Sequence, residues 1–294
     1  MGRAFFLSMF FAVAIAGGTA PPALAREPVV LSPSSNWALD YGVDKCTLAR
    51  AFGVGDWEVT LQIEQSGSGP FYNIMVVGEP VGRTRGDLMQ IAFGPVEGAS
   101  ERSFLTGKTG SDDTPLILMH GIHLAPVPEE AKQGEFVVVD IGAERERAIT
   151  HLSLTEGLRQ PITLELGPMD QPLNAMRTCV ANLVTALKLD EAGLAEIVKA
   201  PKAKNEVQLT QFIQRTYPER MLRNDEGGSV AVQLTVDSEG KATACQIAKS
   251  DRPAAFDDYV CYGMLRIAEF EPATGPDGEP RYGLYFMRVT YSTH

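Results

Sequence analysis

Residues 229–236, Ser-Val-Ala-Val-Gln-Leu-Thr-Val, place an apolar residue at every second position without a break. That period fits a strand with one buried face, because a helix would scatter the same side chains around its surface. Asp237-Ser238-Glu239-Gly240 follows as a hairpin turn, with glycine supplying the positive φ such turns need. Residues 241–249 return as the second strand. Pro253 then sits near the start of a helix, where a missing N–H costs little. Phe256, Tyr259, Val260, Gly263, Met264 and Ile267 form the apolar stripe of that helix. Asp277-Gly278 turns the chain into a last strand, Tyr282 to Tyr291. Upstream, Tyr217-Pro218 opens a short amphipathic helix that runs to Arg223, and Gly227-Gly228 ends it. The local pattern therefore predicts a small α+β unit, a three-stranded antiparallel sheet with two helices.

The preceding chain reads differently. Short strands are expected at 46–52, 57–64, 71–77, 88–93, 103–106, 116–119, 136–140, 149–154 and 162–166. Turn-rich joints separate them, among them Gly53/Gly55 and Pro126-Val127-Pro128. Many short strands at this spacing argue for an antiparallel β-rich sandwich or barrel-like domain. A helix over 173–187 follows, with Met176, Cys179, Val180, Leu183, Val184 and Leu187 at steps of three and four. Asp190 can cap a second short helix through Val198. Lys199-Ala200-Pro201-Lys202-Ala203-Lys204-Asn205 is basic, Pro-broken and poor in apolar residues. The expected division of the 294 residues is a leader over 1–25, a β-rich domain over 26–198, a linker over 199–208 and the α+β domain over 209–294. Two domains suit this length.

The leader has Arg3, an apolar run from Ala4 to Ala16, and Ala23-Leu24-Ala25 before Arg26. This is the pattern of a secretory signal peptide cleaved near Ala25, which places the mature chain in the periplasm. Cys46, Cys179, Cys245 and Cys261 then read as two disulfides in an oxidising compartment, with three pairings open. The net charge of −11 repels phosphate backbones, so no nucleic acid is expected as a partner.

At the C-terminal residues the sequence resembles the TonB C-terminal domain family. The resemblance rests on Tyr217-Pro218, the glycine before the first strand, and Val236-Asp237-x-x-Gly240-Lys241 at the hairpin. It continues through Ser250, Phe256-Asp257, Phe270-Glu271-Pro272-Ala273 and Asp277-Gly278-Glu279-Pro280. These pieces occur in order over about a quarter of the chain. The cleavable-looking leader and the absence of a Pro/Lys repeat region set the chain apart from membrane-anchored transducers. It is similar to periplasmic two-domain members with paired cysteines at the second strand and second helix, which pairs Cys245 with Cys261. A helix packed on the returning strand brings the two together, and Cys46 is left for Cys179.

Motifs of catalytic and cofactor chemistry are incomplete in this sequence. Gly107-Lys108-Thr109 lacks the upstream glycine of a phosphate loop, since position 102 is Arg, so no nucleotide is expected. His120 and His123 fall on opposite faces of a strand, and with His151 they read as ordinary edge histidines and not as a metal site. Ser238 and Lys241 straddle a turn, whereas the S-x-x-K arrangement needs a helix. Phe136 to Gly142 has Ile141 where an aspartic-protease turn needs a hydroxyl. The chain is read as no enzyme, with no cofactor and no metal.

The expected function is a periplasmic protein-interaction module that binds an extended segment by strand addition. The resemblance implies an envelope partner, such as a segment of an outer-membrane transporter, and a link to TonB-dependent transport. The expected docking edge is the final strand, with Tyr282, Leu284, Tyr285, Phe286, Met287, Arg288, Val289 and Tyr291. A second copy of the chain could occupy the same edge as a homodimer. Two other readings stand beside this one. One is a hydrolase or ligand-binding protein working through the β-rich domain, and the other is a structural envelope protein.

Overall fold

The computed structural model describes residues 26–43, 45–67, 71–95, 98–124, 141–217, 219–224, 227–250 and 255–291. The leader, the expected strand over 136–140 and Pro218 lie outside these residues, as do the side chains of Phe256 and Asp257. The first unit contains β1 (Val29–Leu31), β2 (Ala38–Tyr41), β3 (Cys46–Phe52), β4 (Val59–Gln65), β5 (Phe71–Val77), β6 (Leu88–Gly94) and β7 (Ser100–Ser103). It continues with β8 (Leu105–Thr109), β9 (Thr114–His123), α1 (Gly142–Ala148), β10 (His151–Leu154) and β11 (Ile162–Glu165). Helices α2 (Asp170–Ala186) and α3 (Glu191–Ala195) close it.

Two sheets share one core. The six-stranded sheet runs β2-β3-β4-β5-β9-β8 and the five-stranded sheet β1-β11-β10-β6-β7. Alternation sets which side chains meet: Val59, Leu61 and Ile63 of β4 are buried, and Thr60, Gln62 and Glu64 are less so. They face Met89, Ile91, Leu152, Leu154, Ile162 and Leu164 of the other sheet within one apolar cluster. The strand expected over 103–106 is instead two strands, one in each sheet. The chain changes sheets at buried Phe104, since β7 pairs with β6 and β8 pairs with β9. The pairing is antiparallel except for β1, which runs parallel to β11. Helix α2 lays Leu173, Met176, Cys179, Val180 and Leu183 on this core, and a disulfide joins Cys179 to Cys46 of β3.

The second unit contains β12 (Lys202–Ala203), α4 (Glu206–Arg215), α5 (Glu219–Arg223), β13 (Gly228–Val236), β14 (Ala242–Ser250) and α6 (Ala255–Ile267). It ends with β15 (Phe270–Glu271), β16 (Ala273–Thr274), β17 (Pro280–Arg281) and β18 (Gly283–Tyr291). Its main sheet has the order β14-β13-β18, all antiparallel, as the pattern of alternation predicts. Val230, Val232, Leu234 and Val236 point into a core with Leu209, Ile213, Val260, Cys261 and Met264. A second disulfide joins Cys245 on β14 to Cys261 on α6.

The stretch 199–208 has structure of its own. β12 pairs with β15, and the Val198 and Lys199 backbone N–H groups donate to the Thr274 carbonyl. Asn205 donates from its amide to the Ile267 carbonyl and accepts from the Glu269 N–H. Helix α4 begins at Glu206, with Leu209, Phe212 and Ile213 at helical spacing. The basic composition that suggests a linker masked this short amphipathic helix.

Candidate functional site

The final strand is where the sequence places the site. In the structure it starts at Gly283, and Tyr282 lies just before it. Gly283 is closely packed: a Cβ there would stand 2.7 Å from the Ala273 side chain and 2.9 Å from Pro201. Register with β13 sets Tyr285 opposite Leu234, Met287 opposite Val232 and Val289 opposite Val230. These odd-numbered residues face the helices, with Val289 and Tyr291 buried and Tyr285 and Met287 half-buried. The Tyr285 ring meets Phe270 edge-on at 4.9 Å, and Tyr291 meets Tyr217 edge-on at 5.0 Å. Burial, with the nearby Glu206 carboxylate adding, raises the Tyr285 phenol above its ordinary pKa.

The even-numbered residues form the outer face. Leu284 is half-buried, Arg288 and Thr290 are exposed, and Phe286 is 65% exposed. Arg288 donates to the Ser229 hydroxyl at 3.4 Å across the sheet. Among the described strands β18 pairs with β13 alone. Alternate backbone N–H and C=O groups along it therefore point away from the sheet.

The opposite edge strand, β14, is turned toward the first unit, where it packs beside β5 and β9. A Cβ on Gly67 would stand 2.8 Å from Nε2 of Gln246 on β14. Helix α6 docks beside it through Asp258, which is 1% exposed. The Asp258 carboxylate accepts from the Ser103 hydroxyl, and from the His120 backbone N–H at 2.5 Å. The His120 ring nitrogen Nδ1 lies 3.2 Å from the same carboxylate. Ser103 and His120 are themselves buried. The neighbouring Tyr259 phenol is pushed up by burial, and by the charges of Asp87 and Asp258. A serine, a histidine and an aspartate thus meet, but the carboxylate takes the serine proton donor. Acyl transfer needs the imidazole there instead. The constellation lies where the two units meet, and its carboxylate is the acceptor for both the Ser103 hydroxyl and the His120 N–H.

His120 and His123 are buried, which corrects their reading as edge residues. His123 lies edge-on to Phe71 at 5.7 Å, while His120 turns to Asp258. Among the described residues no three metal-ligating side chains converge. The hairpin motif has a packing reason: Gly240 has φ +84°, and a Cβ there would stand 2.1 Å from the Phe270 carbonyl oxygen. Asp237 Oδ1 accepts from the Glu239 and Lys241 N–H groups and fixes the turn. Phe270 is buried against Tyr285, and Pro272 borders Gly240. Asp258 escaped the sequence reading because its partners lie 138 and 155 residues away.

Three antiparallel strands backed by helices, with the β14 edge packed beside the first unit and the β18 edge bonded to β13 alone among the described strands, define a small α+β interaction domain. Residues 213–293 match the family model described as Gram-negative bacterial TonB protein C-terminal. The second unit is a domain of this TonB C-terminal family, whose members are envelope-associated and serve in protein interaction rather than catalysis. The first unit lies outside the match. No curated protein matches the chain. Among the described residues no helix is long and apolar enough to cross a membrane.

Proposed function

We propose that the chain is a periplasmic adaptor whose C-terminal unit takes up an extended segment of an envelope partner on the free edge of β18. The partner chemistry that suits this edge is an unstructured segment able to form main-chain hydrogen bonds, as an outer-membrane transporter could present. The observation that carries the reading is the unequal treatment of the two edges. Among the described strands each edge strand is bonded to β13 alone, but β14 is packed beside β5 and β9 of the first unit. The outer-face Phe286 and Arg288 flank that edge and offer one apolar and one cationic contact to side chains of the added strand.

Strand addition makes a specific prediction. Successive N–H groups of a strand point to opposite sides, so one of Arg288 and Val289 donates inward and the other outward. Proline at the outward position removes a donor and blocks the edge, whereas proline at the inward position breaks the bond to β13. The variants Arg288→Pro and Val289→Pro are compared for folding by far-UV circular dichroism and for capture of the partner from a periplasmic extract. One of them is expected to fold and to lose the partner, while Tyr285→Ala weakens capture only modestly. A folded proline variant at each position that still holds the partner excludes this edge. Sedimentation tests the competing occupant, a second copy of the chain, which would give a dimer.

Export is tested separately. N-terminal sequencing of the protein recovered from periplasm is expected to read Arg26-Glu27-Pro28. A product retaining residues 1–25 in the membrane fraction would overturn cleavage and point to an anchored transducer.

A further inference from the structure

The first unit carries a feature the strand edge does not use. Thr84 and Leu158 form an isolated antiparallel bridge. The Arg85 N–H donates to the Gly157 carbonyl at 2.7 Å, and the Arg159 N–H to the Arg83 carbonyl at 2.9 Å. Leu158 is buried. Side chains alternate along such a pair, so Arg83, Arg85 and Arg159 share the face opposite Leu158 and turn outward together. Arg26 joins them, its guanidinium donating to the Arg159 carbonyl at 3.2 Å.

These four arginines line one cavity of about 640 Å³. That volume lies within the range of small-molecule sites, on the order of 300–1,000 Å³. Two packed 3-10 turns, Gly55–Trp57 and Glu79–Val81, form the facing wall and bring in Asp56, Trp57 and Glu79. Among the described residues none of the four guanidiniums makes an ion pair. Four guanidiniums against two carboxylates leave the cavity net positive on a chain of net charge −11. Like charges in excess of their counter-charges repel one another, and an anion seated among them relieves this. Guanidinium forks suit phosphate and carboxylate oxygens, and Trp57, 40% exposed, supplies an apolar wall for an organic body.

We infer that this cavity binds a small organic polyanion through its phosphate or carboxylate groups. The site lies in the first unit and goes beyond partner binding at β18.

Titration calorimetry of the full chain at low ionic strength tests it, with inorganic pyrophosphate and citrate as probes. At least one probe is expected to bind saturably and to weaken as salt is added. The double variant Arg83→Gln, Arg159→Gln is expected to lose about tenfold or more in affinity. Both residues are exposed, so its thermal transition should match that of the parent. Preference for pyrophosphate assigns the site to phosphate ligands, and preference for citrate to carboxylates. Absence of saturable binding of both probes overturns the inference. So does binding that the folded double variant leaves unchanged. Neither result touches the strand-addition reading, because partner capture through β18 is measured independently.

Discussion

Replacing Cys46 and Cys179 by alanine is expected to lower the stability of the first unit by roughly 4–5 kcal/mol, the value the chain-entropy model gives for loops on the order of 100 residues. The bond spans 133 residues, so in the unfolded chain it removes the loop-closure entropy of a long segment. It also pins α2 across β3, where Cys46 and Cys179 are both buried. The pair Cys245 and Cys261 closes a span of 16 residues, and its removal is expected to cost about 3 kcal/mol. Urea unfolding of both double variants and the parent, without reductant, ranks the two bonds. A long-span variant as stable as the parent would mean that α2 is held by packing alone, and the entropic account would fail.

The elements that could be read in advance are those whose signal is local. The β13 alternation, the Asp237–Gly240 turn and the α6 stripe each occupy a few consecutive residues, and their structures follow the expected pattern. β1 and β2 have three and four residues, too few for a period to show. The split at Phe104 was hidden because no glycine, proline or other turn signal marks a break in Ser103-Phe104-Leu105-Thr106, yet Ser103 and Leu105 belong to different sheets. At the candidate edge, the alternation gave the two faces of β18, but not which edge of the sheet stays open. That depends on β14 meeting the first unit, a contact between distant segments. The arginine cavity shows the same limit. Arg83-Thr84-Arg85 puts two side chains on one face of an extended segment, but Arg159 and Arg26 join them only through tertiary bonds.

The Asp258 contact carries the other large expected effect. Asp258→Ala removes an acceptor from two donors, the Ser103 hydroxyl and the His120 N–H, and strands the His120 ring beside an apolar methyl. Hydrogen bonds to a charged group contribute about 1.5–3 kcal/mol each, and stranded buried donors add their own desolvation cost. The loss is expected to be roughly 3–5 kcal/mol. It should fall on the contact between the units more than on either core. Each unit has its own apolar cluster and its own disulfide, so each can stay folded when the contact fails. Asp258→Asn keeps one acceptor and the side-chain shape, and should lose less. The signature is a single unfolding transition in the parent that separates into two in Asp258→Ala, followed by calorimetry, with faster proteolysis between the units. The same variant bears on partner binding. Freed from the first unit, β14 becomes a second open edge, so the variant is expected to self-associate where the parent does not. A single transition at an unchanged midpoint would show that the buried carboxylate does not couple the units. In that case the packing of Gln246 against Gly67 and of β14 beside β5 and β9 would have to hold them.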